Sequence, residues 1–138
     1  MSEENKTLTY RWFEEVWNKG NADAISEMVT ADVVIHGLTD AVGNPITNID
    51  AFRSFHQQFR GAFPDINVVV EDSIAEGDKV AARCSVQAKH TGDSLGLTAT
   101  NADVDFSGIA IVRIYNGKIV EAWNNFDFMR MNKQLGVL

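Results

Sequence analysis

The chain has 138 residues, 45% of them hydrophobic, and its formal net charge is −7. A chain of this length forms one domain with a sizeable core, so we treat residues 1–138 as a single domain. The acidic balance disfavours binding to nucleic acids and to anionic membranes, because both require a basic surface. No apolar run is long enough to span a membrane.

The cysteine content and the N-terminal residues predict a cytoplasmic protein. Cys84 is the single cysteine, so the chain cannot form an internal disulfide, and this fits a reducing compartment. The first four residues, Met1 to Glu4, are polar and acidic and do not resemble a secretory signal.

The first half of the chain predicts three helices and one short strand. Apolar residues at helical spacing predict a first helix that ends at Gly20 and a shorter second helix capped by Asn21. Residues 32–36 predict the strand. The third helix begins near Thr47 and ends before Pro64, and its apolar stripe includes His56.

From residue 66 the apolar period changes to two, which is typical of strands. Residues 66–75 and 79–90 predict an antiparallel pair joined at Gly77-Asp78. A second hairpin turns at Asn116-Gly117, and a short helix follows from about Met129 to Leu135. Helices followed by meandering strands predict an α+β fold, in which the helices pack on a curved, mostly antiparallel sheet.

The hairpin turn also predicts which residues share a face of the sheet. With Asn116-Gly117 as the loop, Tyr115 pairs with Lys118 and Phe106 lies opposite Asp127. Alternation along the strands then places five residues on one concave face: Phe106, Gly108, Trp123, Asn125 and Asp127. An acid on an apolar surface tends to stay protonated, which suits a general acid or base, so Asp127 is the predicted catalytic residue. Its alternative role is to cap the following helix.

Other side chains are candidates for binding a substrate on this face. Asn125 could donate to a developing oxyanion, whereas Trp123 is most simply a core residue. Each histidine is either a structural residue or a pocket residue. The histidines lack the short spacing of a metal site, so no metal is predicted. The substrate-binding candidates are His36, His56, His90, Phe106, Trp123 and Asn125.

The terminal hairpin is apolar on its second face as well. The predicted register places five residues there: Ile109, Ile111, Val120, Ala122 and Phe126. A sheet that is buried on both faces needs two covers, and the helices supply only one. The second cover is predicted to be another copy of the same sheet, which gives a two-fold homodimer.

Several motifs, in order along nearly the whole chain, resemble one known family. They are Phe13-x-x-x-Trp17-Asn18-x-Gly20-Asn21, Val34-x-His36-Gly37, Phe52-x-x-x-His56-x-x-Phe59-x-x-x-Phe63-Pro64-Asp65, Glu76-Gly77-Asp78-Lys79-Val80, His90-Thr91-Gly92, Asn116-Gly117-Lys118-Ile119, Glu121-x-Trp123-x-x-x-Asp127 and Gln134-Leu135-Gly136. The chain is similar in these motifs to the SnoaL-like polyketide cyclase or ester cyclase family. That resemblance implies the cone-shaped fold of nuclear transport factor two.

The resemblance also implies a function. The characterised cyclases close a ring of an aromatic polyketide ester by an intramolecular aldol reaction, with an acid at the Asp127 position as acid/base and with no metal or organic cofactor. By resemblance, histidines line the pocket, the substrate is small and hydrophobic, and the loops at residues 38–47 and 93–103 shape the mouth. The alternatives are an isomerase or epoxide hydrolase on the same cone, or a non-catalytic small-ligand binding protein.

Overall fold

The computed structural model describes residues 2–137, which form four α-helices, one π-helix and one sheet. The helices are α1 (Ser2–Arg11), the π-helix Trp12–Asn18 that continues it, α2 (Asp23–Met28), α3 (Ile49–Ala62) and α4 (Phe128–Leu135). The strands are β1 (Val29–His36), β2 (Asn67–Glu76), β3 (Lys79–Lys89), β4 (Asp103–Tyr115) and β5 (Lys118–Phe126). The predicted α+β fold, with its short C-terminal helix, is confirmed.

The sheet is mixed and open, with strand order β1-β5-β4-β3-β2. β1 runs parallel to β5, and every other neighbouring pair is antiparallel. The core lies between the helices and the concave face of this sheet. None of the helices within residues 2–137 is long and apolar enough to cross a membrane.

Helix α3 covers the concave face with a stripe of aromatic side chains. Asn48 caps it, because its side-chain oxygen accepts a hydrogen bond of 2.8 Å from the Ala51 backbone N–H. Phe52, Phe55 and Phe59 lie on its buried face. Burial of one such side chain stabilises the fold by about 1.5–3 kcal/mol, so this stripe anchors the helix to the sheet.

The turn of the terminal hairpin is the predicted one. Asn116 and Gly117 have φ values of 51° and 75°, both in the left-handed region. Asparagine and glycine tolerate this region better than other residues, which is why this dipeptide favours a two-residue turn. Tyr115 pairs with Lys118, as expected.

The register of the hairpin shifts by one residue beyond the turn. Arg113 pairs with Glu121, so Val120 is an extra residue on β5, a β-bulge. A shift of one residue exchanges the two faces of a strand. The predicted concave positions of Trp123 and Asn125 are therefore wrong.

The bulge also corrects the predicted second face of the hairpin. Ile109 and Ile111 face the convex side, as expected, and Ile109 is 46% exposed. Ala122 and Phe126 pair with Val112 and Gly108 and line the inside of the cone instead, so their predicted convex positions are wrong.

Candidate functional site

A cavity of about 90 Å³ lies between the helices and the concave face of the sheet. One water molecule needs about 10–15 Å³ of such a volume, so the cavity has room for a small organic molecule. Its wall residues are apolar except Asn124. Nine of them are aromatic: Trp12, Phe13, Trp17, Phe52, Phe55, Phe59, Phe106, Phe126 and Phe128.

The opening of the cavity is marked by wall residues that are only half-buried. The half-buried wall residues on the helical side are Trp12, Trp17 and Ile49, and those on β5 and the start of α4 are Ala122, Asn124, Phe126 and Phe128. Solvent therefore reaches the cavity between the helices and the end of β5.

The π-helix turns both Trp12 and Trp17 towards the cavity. These residues are five apart, and a π-helix repeats its hydrogen bonds at that interval, as the Lys19 N–H to Glu14 carbonyl bond of 2.9 Å shows. The Asn18 side chain bonds both the N–H and the carbonyl of Val68, at 2.6 and 2.9 Å. These bonds hold the π-helix against β2.

His56 lies behind the wall and is not part of it. It is 4% exposed, and its Nε2 lies 2.6 Å from the carbonyl oxygen of Val16. Burial lowers the pKa of His56, and nearby Arg60 and Arg53 add to the lowering, although the bond to Val16 opposes it. A neutral imidazole that donates to Val16 stabilises the contact between α3 and the π-helix.

His90 is fully buried and lies outside the wall. Its Nδ1 accepts a hydrogen bond of 3.2 Å from the Thr100 backbone N–H and lies 3.0 Å from the Thr100 hydroxyl. Because Nδ1 accepts, the ring proton of the neutral histidine is on Nε2, which has no partner among the described residues. The ring packs against Phe63, with centroids 5.3 Å apart.

The two loops that were expected to shape the mouth of the cavity lie in different places relative to the cavity wall. Leu38, at the start of the first loop, lines the cavity, whereas no residue of 93–103 does so. The second loop folds over the end of α3, where the Gly92 N–H donates to the Ala62 carbonyl and the Ser94 hydroxyl bonds the Gln58 carbonyl.

His36 and Trp123 lie in a cluster of aromatic and charged side chains on the convex face. Their rings stack with centroids 5.4 Å apart and planes 14° apart. Glu121 accepts hydrogen bonds from His36 Nε2 at 2.8 Å and from Arg113 at 3.2 Å, and these bonds lower the pKa of the Glu121 carboxyl. Lys79 Nζ lies 5.4 Å from the Trp123 ring centroid. His36 and Trp123 therefore face away from the cavity.

Asp127 caps α4. Its Oδ1 accepts a hydrogen bond of 3.0 Å from the Arg130 backbone N–H, and its residue is exposed. The predicted position of Asp127 on the concave face is wrong, because its carboxylate binds the helix terminus instead of entering the cavity. Its neighbours Phe126 and Phe128 both line the cavity, so Asp127 belongs to the rim. Phe106 is in the wall, as expected.

Asn124 occupies the place that was predicted for Asn125. It pairs with Ala110 and lines the cavity, and its Nδ2 donates to the carbonyl oxygen of His36 at 3.0 Å. Asn125 is exposed. The sequence carries one signal for this register, namely the opposite charges of Arg113 and Glu121, which pair only if β5 contains one extra residue.

Within residues 2–137, no group of three or more histidine, cysteine, aspartate and glutamate side chains could hold a metal ion.

Comparisons with known proteins agree with this fold. Residues 7–135 match the family model described as SnoaL-like polyketide cyclase. None of the curated proteins matches the sequence significantly.

Solved structures resemble the chain over nearly its whole length. AclR from Streptomyces galilaeus, described as a candidate hydroxylase, is 26% identical with a TM-score of 0.86, covering 100% of this chain and 88% of its own. IdmH from Streptomyces antibioticus, described as a candidate polyketide cyclase, is 26% identical with a TM-score of 0.79, covering 96% and 99%. A hypothetical protein from Catenulispora acidiphila DSM 44928 with a ketosteroid isomerase-like fold, in complex with trimethylamine, is 14% identical with a TM-score of 0.73, covering 95% and 93%.

Proposed function

Because the chain belongs to the SnoaL-like polyketide cyclase family, we propose that it binds a small, uncharged, hydrophobic substrate in its cavity and promotes ring closure on it. The observation that supports this proposal is the wall itself, which is aromatic and aliphatic apart from Asn124. A charged ligand would lose its hydration there without meeting an opposite charge.

The wall can promote cyclisation by holding a flexible substrate in a folded conformation. Aromatic side chains on α3 and the π-helix face the sheet across the cavity, so they can stack on flat, conjugated parts of the substrate. Holding two reacting carbon atoms in contact in this way lowers the entropy cost of closing the ring, because binding has already restricted the conformation of the substrate.

An aldol-type closure also requires a base that removes a proton next to a carbonyl. Among the wall residues in the described part of the chain, none carries a carboxylate or an imidazole. We propose Asp127 for this step, because Phe126 and Phe128 on either side of it line the cavity. To reach the substrate, its carboxylate must give up the hydrogen bond to the Arg130 N–H.

A non-catalytic binding protein is the second candidate. The observation that favours it is the same lack of ionisable side chains in the described wall. Turnover of a bound substrate separates this candidate from the cyclase.

We also propose that the protein is a cytoplasmic homodimer that pairs through the convex face. Five partly exposed hydrophobic residues support this surface: Val34, Val69, Ile74, Ile109 and Tyr115. A cover from a second copy would remove this apolar surface from water. Cys84, buried and with its thiol pKa raised by burial to about 12, is compatible with a reducing compartment.

The cavity proposal is tested by identifying the molecule that the protein binds. Protein purified from its own host is extracted with organic solvent, and the extract is analysed by mass spectrometry. The Ala110→Leu variant places three extra carbon atoms in the wall and should lose the ligand. Ala81→Leu is the matched control, because Ala81 pairs with Ile111 on the convex face of the same sheet. Equal ligand content in both variants would contradict binding in the cavity.

A further inference from the structure

Among the wall residues that the structure describes, Asn124 alone has an amide side chain, and the rest are apolar. The orientation of its amide group is fixed by a hydrogen bond, because Nδ2 donates to the carbonyl oxygen of His36 at 3.0 Å. The reverse orientation would place two oxygen atoms against each other, so the nitrogen must be the atom that faces His36.

The backbone also packs closely against Asn124. Gly37 has a φ of 87°, and a Cβ atom at Gly37 would lie 1.9 Å from the Asn124 carbonyl oxygen. The chain therefore leaves β1 directly against Asn124, and the His36 carbonyl that precedes Gly37 orients the amide.

One amide N–H bonds His36, which leaves the second N–H and Oδ1 without a partner among the described residues. Asn124 is half-buried at the opening of the cavity, where these groups can meet a ligand. The free N–H can donate a hydrogen bond to a ketone oxygen, and Oδ1 can accept one from an enol or hydroxyl group beside that ketone.

We propose that Asn124 determines specificity by binding a carbonyl oxygen of the substrate at the cavity opening. This inference rests on the proposed function, because it requires that the substrate enters this cavity. It names the substrate class more closely: a neutral, mainly apolar ketone or enol. It also assigns Asn124 the role of holding the oxygen that becomes negatively charged when a proton is removed from the adjacent carbon.

The test uses two probes of nearly the same shape, 1-tetralone and its hydrocarbon tetralin, which lacks the oxygen. Isothermal titration calorimetry gives the Kd of each probe for the wild-type protein and for the Asn124→Leu variant. The matched control is Asn125→Leu, the same change one residue further along β5, on the opposite face of the strand.

We expect the preference for 1-tetralone over tetralin to fall about fivefold in Asn124→Leu, the size of one hydrogen bond, and to stay within about twofold of wild type in Asn125→Leu. Tetralin binding should be unchanged in Asn124→Leu, which shows that the cavity is intact. If Asn124→Leu does not fold, Asn124→Ala allows the same comparison.

The alternative outcomes separate this inference from the proposed function. If both probes bind and Asn124→Leu leaves their ratio unchanged, the role of Asn124 is wrong, whereas the cavity proposal stands. If neither probe binds the wild-type protein, both proposals are wrong.

Discussion

His56 Nε2 lies 2.6 Å from the carbonyl oxygen of Val16, and this bond joins α3 to the π-helix. Burial lowers the pKa of His56 below its usual value of 6.5. As the pH falls, the unfolded chain therefore takes up a proton at this histidine before the folded protein does. Protonation of the unfolded chain lowers the free energy of unfolding.

We therefore expect the free energy of unfolding to decrease as the pH is lowered from about 6.5 through the folded pKa of His56. Urea denaturation at several pH values between 7.5 and 5 measures this slope. In His56→Gln, which keeps an N–H for Val16 but does not titrate, the slope should be smaller. Asp105 and Glu121 also have lowered pKa values, but their contribution is lost only below their ordinary values of 3.8 and 4.5. An equal slope in His56→Gln would contradict this prediction.

Two substitutions at Asp127 separate its helix cap from a catalytic role. Asparagine caps a helix about as well as aspartate, so Asp127→Asn should leave the melting temperature unchanged, whereas Asp127→Ala should cost about 0.5–2 kcal/mol of stability. If Asp127 is the general base, Asp127→Asn should also lower turnover of a verified substrate about 10²–10⁴-fold. Full turnover in Asp127→Asn would refute the catalytic role and leave the cap.

Gly108 is required by the ring of Phe126. A Cβ atom at Gly108 would lie 2.4 Å from that ring and 2.7 Å from the Asn125 carbonyl oxygen. Gly108→Ala should therefore destabilise the protein by about 1–3 kcal/mol and displace Phe126, a wall residue of the cavity. Chemical denaturation measures the cost.

A double-mutant cycle with Phe126→Leu identifies the ring as the cause of the Gly108→Ala effect. In the Phe126→Leu background the cost of Gly108→Ala should shrink, because the smaller side chain leaves more room. Strictly additive effects would show that the Phe126 ring is not the obstacle.

A charge on the convex face tests the proposed homodimer. Sedimentation at micromolar concentration should show a dimer for the wild-type protein and a monomer for Ile109→Asp, because a buried aspartate without a partner is costly. Val42→Asp is the control, because Val42 is 81% exposed in the loop between β1 and α3. A wild-type monomer under these conditions would exclude the proposal.

The features that the sequence predicted well are those with a local cause. Asn116-Gly117 specifies its turn through backbone conformation, and Gly77-Asp78 joins β2 to β3 as expected. The apolar stripes of the helices and the change to an apolar period of two likewise depend on residues that are close together in the chain.

The features that were missed depend on contacts between distant segments. Val120 has no residue type that marks a bulge, so the faces of β5 were assigned from the turn alone. The apolar residues of the π-helix also fit the spacing of an α-helix, so nothing in the sequence predicted that His56 would bond the Val16 carbonyl. The sequence position of Asp127 suited both a helix cap and a general base. The hydrogen bond from the Arg130 N–H, which the sequence does not reveal, shows that Asp127 caps the helix.

The bulge at Val120 decides which side chains of β5 form the inner surface of the cone. An unbroken ladder would instead pair Val120 with Arg113 and turn Trp123 and Asn125 inward in place of Ala122 and Asn124. A bulky indole would then fill space that a ligand now has. The extra residue in β5 therefore keeps the small side chains of Ala122 and Asn124 on the inner face of this strand and sets the space that a ligand can occupy in this protein.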